Sequence, residues 1–235
     1  MIRIRHAGER GHADRGWLQS NFTFSFAEYN DPRYMGFRTL RVINDDRVAP
    51  GKGFGPHAHR DMEIITYVTE GSLLHRDSTG AQHVIRPNEI QIMSAGTGVV
   101  HSEFNASTTD PVHFFQIWII PANEDLQPAY QQVGFDPTEK EKRLRLLAAP
   151  EIADGQRAVI INQNAFVYVA ELKSSEQLIY AVDADRHAWV QVTKGSVSVN
   201  DQGLQEGDGA SISEERELRV AGAASGGEFL LFDLP

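Results

Sequence analysis

His57-Ala58-His59 and His101-Ser102-Glu103 are the residues of this chain best suited to chemistry. Each pair has i, i+2 spacing, and on a β-strand residues two apart point to the same face. On facing strands the two pairs would aim three imidazoles and one carboxylate at a single point. That donor set suits a divalent transition metal and leaves coordination positions open for reaction. Turn residues precede both pairs: Gly51, Gly53, Gly55 and Pro56 before the first, Gly96 and Gly98 before the second. Such punctuation places the strand that follows.

Composition narrows the choice of metal. The chain has no cysteine, which removes disulfides, thiol nucleophiles and thiolate ligands. A zinc ribbon is therefore disfavoured, while iron, manganese, nickel, copper and catalytic zinc remain. At 235 residues the chain has room for one large domain or two small ones with real cores. Its net charge of −10 is uneven: residues 1–120 carry 12 basic and 13 acidic groups, residues 121–235 carry 10 and 19. An acidic chain repels phosphate backbones, so no direct nucleic-acid binding is expected. No apolar run reaches the roughly 18 residues of a membrane span. The start, Met1 to His6, leads into glycine and charge, and a cytoplasmic location is expected.

The elements that must position the site read as mostly β. Phe22-Thr23-Phe24-Ser25-Phe26 alternates in the manner of a half-buried strand. Further strands are predicted over 39–43, 63–68, 83–85, 90–93, 113–120, 158–161, 166–172, 188–192, 196–199 and 229–232. This rhythm predicts sandwiches or barrels. One short helix is predicted after Pro137, with capping-box spacing between Thr138 and Glu141. Leu144, Leu147 and Ala148 would form its apolar stripe and Pro150 would end it. It would link an N-terminal domain, residues 1–135, to a C-terminal domain, residues 136–235.

The two halves echo each other. Val68-Thr69-Glu70-Gly71-Ser72 returns as Val192-Thr193-Lys194-Gly195-Ser196, and Asn88-Glu89 as Gly207-Asp208. The first offset carries His57 and His59 onto Ala181 and Asp183. The second carries His101 and Glu103 onto Val220 and Gly222. The C-terminal half thus reads as a duplicate scaffold without ligands. Its lone His187 reads as a surface or packing residue.

Gly51, His57, His59, Glu63 and Gly71 resemble the first cupin motif, and Gly98-Val99-Val100-His101-Ser102-Glu103-Phe104-Asn105 the second. The fuller strings Gly53 to Glu63, Met93 to Glu103 and Phe22 to Ala27 resemble the pirin family of that superfamily. The resemblance implies an all-β bicupin of two β-barrel (jelly-roll) domains with metal in the N-terminal barrel only. It implies His57, His59, His101 and Glu103 as ligands, usually of Fe2+, one metal per chain. Strand parity leaves Glu63 equally able to face the metal, as in most cupins; the pirin-like string selects Glu103.

The resemblance also implies quercetin 2,3-dioxygenase activity. A flavonol, a small aromatic polyphenol, is opened by O2 with loss of CO. Glu103 and Glu63 are the candidate catalytic bases. Phe22, Phe24, Phe54 and Phe104 are candidate walls for a flat substrate. The alternative is a metal- or redox-sensing regulatory protein acting through a protein partner. A monomer is expected.

Overall fold

The computed structural model describes residues 1–235 and is built almost wholly of strands. The first half runs β1 (Ile2–Arg5), β2 (Gly11–Asp14), β3 (Leu18–Phe22), β4 (Leu40–Val48), β5 (Gly53–His59), β6 (Glu63–Glu70), β7 (Leu73–Asp77), β8 (Gln82–Ile85), β9 (Glu89–Ser94), β10 (Val99–Asn105), β11 (Val112–Ile119) and β12 (Ala129–Gly134). The second half runs β13 (Arg145–Ala149), β14 (Val159–Ile160), β15 (Phe166–Leu172), β16 (Gln177–Ala181), β17 (His187–Val199), β18 (Gln202–Gln205), β19 (Gly209–Ile212) and β20 (Glu217–Leu234).

The chain divides into two compact units. The site-bearing unit is Gly11–Phe135 with Pro150–Gln163; the companion unit is Met1–Arg10, Asp136–Ala149 and Asn164–Pro235. Two segments thus pack with the half of the chain they do not belong to in sequence. β1 pairs with β19, Ile2 opposite Ile212. Asn162 donates to Glu63 from its backbone N and its Nδ2, both at 3.2 Å.

Two sheets make the site-bearing unit. One has the order β12-β9-β6-β11-β4-β3-β2, the other β5-β10-β7-β8. β6 sits centrally in the first and is buried from Glu63 to Thr69, rich in β-branched and aromatic residues that fill a doubly covered strand. A polar row crosses this sheet in register: Asn44 pairs with Gln116, Gln116 with Thr66, and Thr66 with Gln91. All four are buried. Apolar clusters flank the row, one around Val48, Val68, Leu73 and Phe114, another around Ile64, Met93 and Val99.

The companion unit carries a sheet with the path β1-β19-β17-β20-β15-β13, β16 joining β20 and β18 joining β17. Its repeat with the first half is visible in the backbone. Gly71 and Gly195 both turn at positive φ, +74° and +65°, where a Cβ would collide with the carbonyl of Pro111 or Gly226. Asn88 and Gly207 also share positive φ.

Several expected elements differ. No α-helix follows Pro137. A single 3-10 turn spans Pro137–Lys140, capped by Asp136 and Glu139 rather than Thr138 and Glu141. Leu147 and Ala148 then lie in β13, which pairs with β15 instead of coiling on itself, Ala148 opposite Val167 and Leu147 at a register shift. The Phe22–Phe26 strand stops at Phe22, where Ser25 N–H turns away to the Tyr34 carbonyl at 2.7 Å. The two short strands expected over 188–199 are one, β17, kinked by register shifts at Val192/Lys194 and Gly195/Val197.

Candidate metal centre

β5 and β10 run antiparallel with His101 opposite His57 and Val99 opposite His59. The register slips between His101 and Glu103, so Glu103 faces Phe54. Gly53 allows this bulge, since a Cβ there would collide with the Glu103 carbonyl. β10 alternates cleanly, His101 and Glu103 buried and Phe104 outward.

The structure brings the three histidines together. Ring centroids lie 4.8 Å apart for His57–His59, 4.4 Å for His57–His101 and 4.8 Å for His59–His101. His57 Nδ1 lies 2.8 Å from the Gly55 carbonyl. Donation there fixes the tautomer and leaves Nε2 as a free lone pair. That Nε2 is 3.0 Å from His101 Nε2. Two nitrogens held at roughly 2.1 Å from one ion at right angles would be about 3.0 Å apart. Burial, and then the charge of His57, push His59 down to about 4 and His101 down to about 2. Both rings are therefore neutral at pH 7, as ligands must be. The donor set fits a divalent transition ion.

Glu103 is 3% exposed. Its Oε2 accepts from Gln116 Nε2 at 2.8 Å and its Oε1 from Thr66 at 3.4 Å. Burial pushes its carboxyl up to about 7 against these two bonds. Glu103 forms a second donor group with His101 and His75, all within 4.8 Å of one another. His101 thus belongs to both groups.

Glu63 stands elsewhere. It accepts from Ser94 at 2.9 Å and twice from Asn162, is buried, and does not line the cavity over the histidines. Burial raises its carboxyl above the ordinary value.

That cavity holds about 350 Å³ and is open to His57, His59, His101 and Glu103. Of the expected walls, Phe22 and Phe54 line it. Phe24 is buried in the core and Phe104 is 37% exposed. Trp17, Phe26 and Trp118 complete the aromatic lining. Trp118 stands edge-on to His59, centroids 4.9 Å apart.

The pairing register also revises the map between halves. Leu73 opposite Asn105 corresponds to Val197 opposite Gly222. His101 and Glu103 then match Leu218 and Val220, two residues before the positions that the second offset gives. His57 and His59 match Tyr180 and Val182, because Tyr180 faces Leu218. Val182, Leu218 and Val220 belong to one apolar cluster, with Tyr180 packed on it. Where the first unit has a cavity lined by His57, His59, His101 and Glu103, the companion has core.

Sequence spacing gave no hint of His75, whose Nε2 lies 2.8 Å from Asp77 and whose ring lies 5.3 Å from that of His101. It gave none of Ser20, Asn44 or Asp46, which also line the cavity. The i, i+2 spacing of Asn44 and Asp46 was the available signal, hidden in a strand that reads as ordinary.

A cupin-type scaffold with one histidine-rich cavity is the class of protein that this fold and site define. The chain belongs to the pirin family. The Pirin family model matches residues 3–119, and that of the quercetinase C-terminal cupin domain matches residues 146–234. It is 46% identical to a quercetin 2,3-dioxygenase of Escherichia coli K12, over 100% of this chain and 99% of that one. It is 38% identical to a pirin-like protein of Caulobacter vibrioides, over 99% of each. The crystal structure of the bacterial pirin YhhW from Escherichia coli in complex with nickel(II) superposes with a TM-score of 0.93 at 45% identity, covering 100% of this chain and 99% of that one.

Proposed function

We propose that this protein is a metal-dependent dioxygenase that opens the heterocyclic ring of a flavonol such as quercetin with O2 and releases CO. The observation that carries the reading is the histidine triad at the base of an aromatic-walled cavity, in a chain 46% identical end to end to a protein named quercetin 2,3-dioxygenase. His57, His59, His101 and Glu103 hold one divalent ion, with Fe2+ as the resident metal. Such an ion supplies Lewis acidity and a template for substrate and O2.

The chain's own residues do the rest. Trp17, Phe22, Phe54 and Trp118 sandwich a flat ring system and exclude water from it. Glu103 accepts the substrate hydroxyl proton at Oε1, whose bond to Thr66 is long, while Gln116 holds Oε2 in place. Both oxygen atoms enter the product, and one carbon leaves as CO. Glu63, saturated by Ser94 and Asn162, serves as the anchor of residues 150–163.

The test is oxygen uptake with CO release when quercetin is added to protein loaded separately with Fe2+, Mn2+, Ni2+, Cu2+ or Zn2+. Metal analysis of protein purified without added metal accompanies it. Uptake with at least one metal is expected. No uptake with any of the five would overturn the reading.

A further inference from the structure

The wall of the cavity opposite the histidines carries polar groups that metal binding does not use. Ser20 and Phe22 lie on one face of β3, Asn44 and Asp46 on one face of β4, with Ser20 opposite Asp46 and Phe22 opposite Asn44. All four line the cavity. Ser20, Asn44 and Asp46 are at least nine-tenths buried. The Ser20 hydroxyl donates to Asp46 Oδ1. Asn44 Oδ1 is buried with no hydrogen-bond partner.

Buried acceptors left empty cost free energy, so an occupant that fills them gains it. This wall is rich in acceptors: a carboxylate and an amide oxygen, with the serine hydroxyl already spent on the carboxylate. It calls for hydroxyl donors on the occupant and repels a second anion. The spacing adds a dimension. Asn44 is the register neighbour of Gln116, which holds Glu103. Asp46 is two residues further along the strand, about 7 Å away. That span suits hydroxyls spread over one aromatic ring.

We propose that Ser20, Asn44 and Asp46 form a hydroxyl-recognition subsite that selects polyhydroxylated aromatic substrates over otherwise identical ones without ring hydroxyls. The proposal rests on the dioxygenase reading for the substrate's class. It adds residues and a preference that the metal centre alone does not dictate, since a flavonol chelates through its hydroxyl and ketone whether or not its other rings are hydroxylated. Burial pushes the Asp46 carboxyl up to about 7, opposed by the bond from Ser20. A group that close to neutrality accepts a phenol hydrogen bond in either state of the pair.

The experiment measures binding without turnover. Metal-loaded protein is titrated under nitrogen with quercetin and with 3-hydroxyflavone, which keeps the chelating pair and lacks the ring hydroxyls. Quenching of tryptophan fluorescence reports occupancy, because Trp17 and Trp118 line the same cavity. The wild type is expected to bind quercetin roughly ten- to a hundredfold more tightly, the range of hydrogen bonds to a charged group. Asp46→Asn and Asn44→Ala should each lose at least about tenfold for quercetin and less than threefold for 3-hydroxyflavone. Ser20→Ala is the milder variant should Asp46→Asn not fold, with a loss of several-fold confined to quercetin. Equal affinity for the two compounds in the wild type would overturn the subsite, as would equal losses for both in the variants. So would absence of binding by either. Oxygen uptake is read separately. Hydroxyl-selective binding without uptake keeps the subsite and removes the dioxygenase. Uptake with indifferent binding does the reverse.

Discussion

His57 and His101 hold their Nε2 atoms 3.0 Å apart, and with His59 they gather three imidazole rings at one point. Removing either ring should take most of the metal with it. His57→Ala and His101→Ala are each expected to lose at least about tenfold to a hundredfold in affinity, read by metal content after dialysis. Full occupancy in both would move the site elsewhere. The carboxylates separate by a second comparison. Glu103→Gln should weaken metal binding while Glu63→Gln leaves it intact and lowers thermal stability instead, because an amide presents a donor to Ser94 or Asn162. The reverse order would make Glu63 the ligand.

The same carboxylates set a pH dependence. Glu103 must lose its proton to bind metal, so affinity should climb about tenfold per pH unit up to about 7 and then level. Asp46 and Glu103 keep their protons to about 7 when folded but ionise near 4 when unfolded. The folded chain therefore binds more protons across that window. Metal-free stability falls as pH rises through it, by at most about 1.4 kcal/mol per pH unit for each group, and the penalty is complete above 7. Asp46→Asn should flatten the decline in melting temperature between pH 5 and pH 8. An unchanged slope would mean that Asp46 ionises normally in the fold.

Among the elements, the contact of β5 with β10 decides whether the donors meet. Alternation along β10 turns the Glu103 carboxylate inward beside His101, while the extra residue that β5 carries between Phe54 and His57 leaves the Glu103 carbonyl against Gly53. Gly53→Ala should force the strands apart, cost roughly 1–3 kcal/mol of stability, and weaken metal binding without touching a ligand. Chemical denaturation beside metal titration checks this; normal values of both would show that the bulge yields. The polar row Asn44, Gln116, Thr66 and Gln91 is the other element-scale device. Placing amides in the middle of a sheet forgoes apolar burial, and in return Gln116 and Thr66 fix Glu103 from the opposite sheet. Sequence shows these residues singly, each with strand-compatible spacing. Only the pairing register makes them a row.

For the whole molecule, one metal per chain is expected. Tyr180, Val182, Leu218 and Val220 stand where ligands would be needed, and they are packed into or against an apolar cluster. Metal analysis of the wild type should give a ratio near one, and His101→Ala should bring it near zero. A second equivalent surviving in that variant would contradict the assignment. The exchanged segments predict how the chain tolerates cutting. Residues 1–135 contain every proposed ligand but lack Asn162 and Ile160, which bond Glu63 and Gln131, so this fragment should express as poorly soluble protein that holds little metal. A soluble, metal-loaded fragment would show that those bonds are dispensable.

The sequence alone determined what depends on short spacing. The i, i+2 pairs with their glycine turns gave the histidines, the echo of Val68–Ser72 in Val192–Ser196 gave the duplicated turn, and the absence of cysteine restricted the ligands to nitrogen and oxygen. Strand parity could not choose between Glu63 and Glu103, because both lie an even number of residues from a histidine. The two are separated by the sheet each strand joins, β6 in one and β10 beside β5 in the other. The segment after Pro137 has helical spacing and becomes a strand, since β15 offers an edge to pair with. Ser20 and His75 carry no local pattern of a site, and the i, i+2 pair Asn44 and Asp46 reads as part of an ordinary strand. Ser20 meets Asp46 because β3 pairs with β4, and His75 stands beside Glu103 because β7 pairs with β10, so only the folded sheets decide which of them meet.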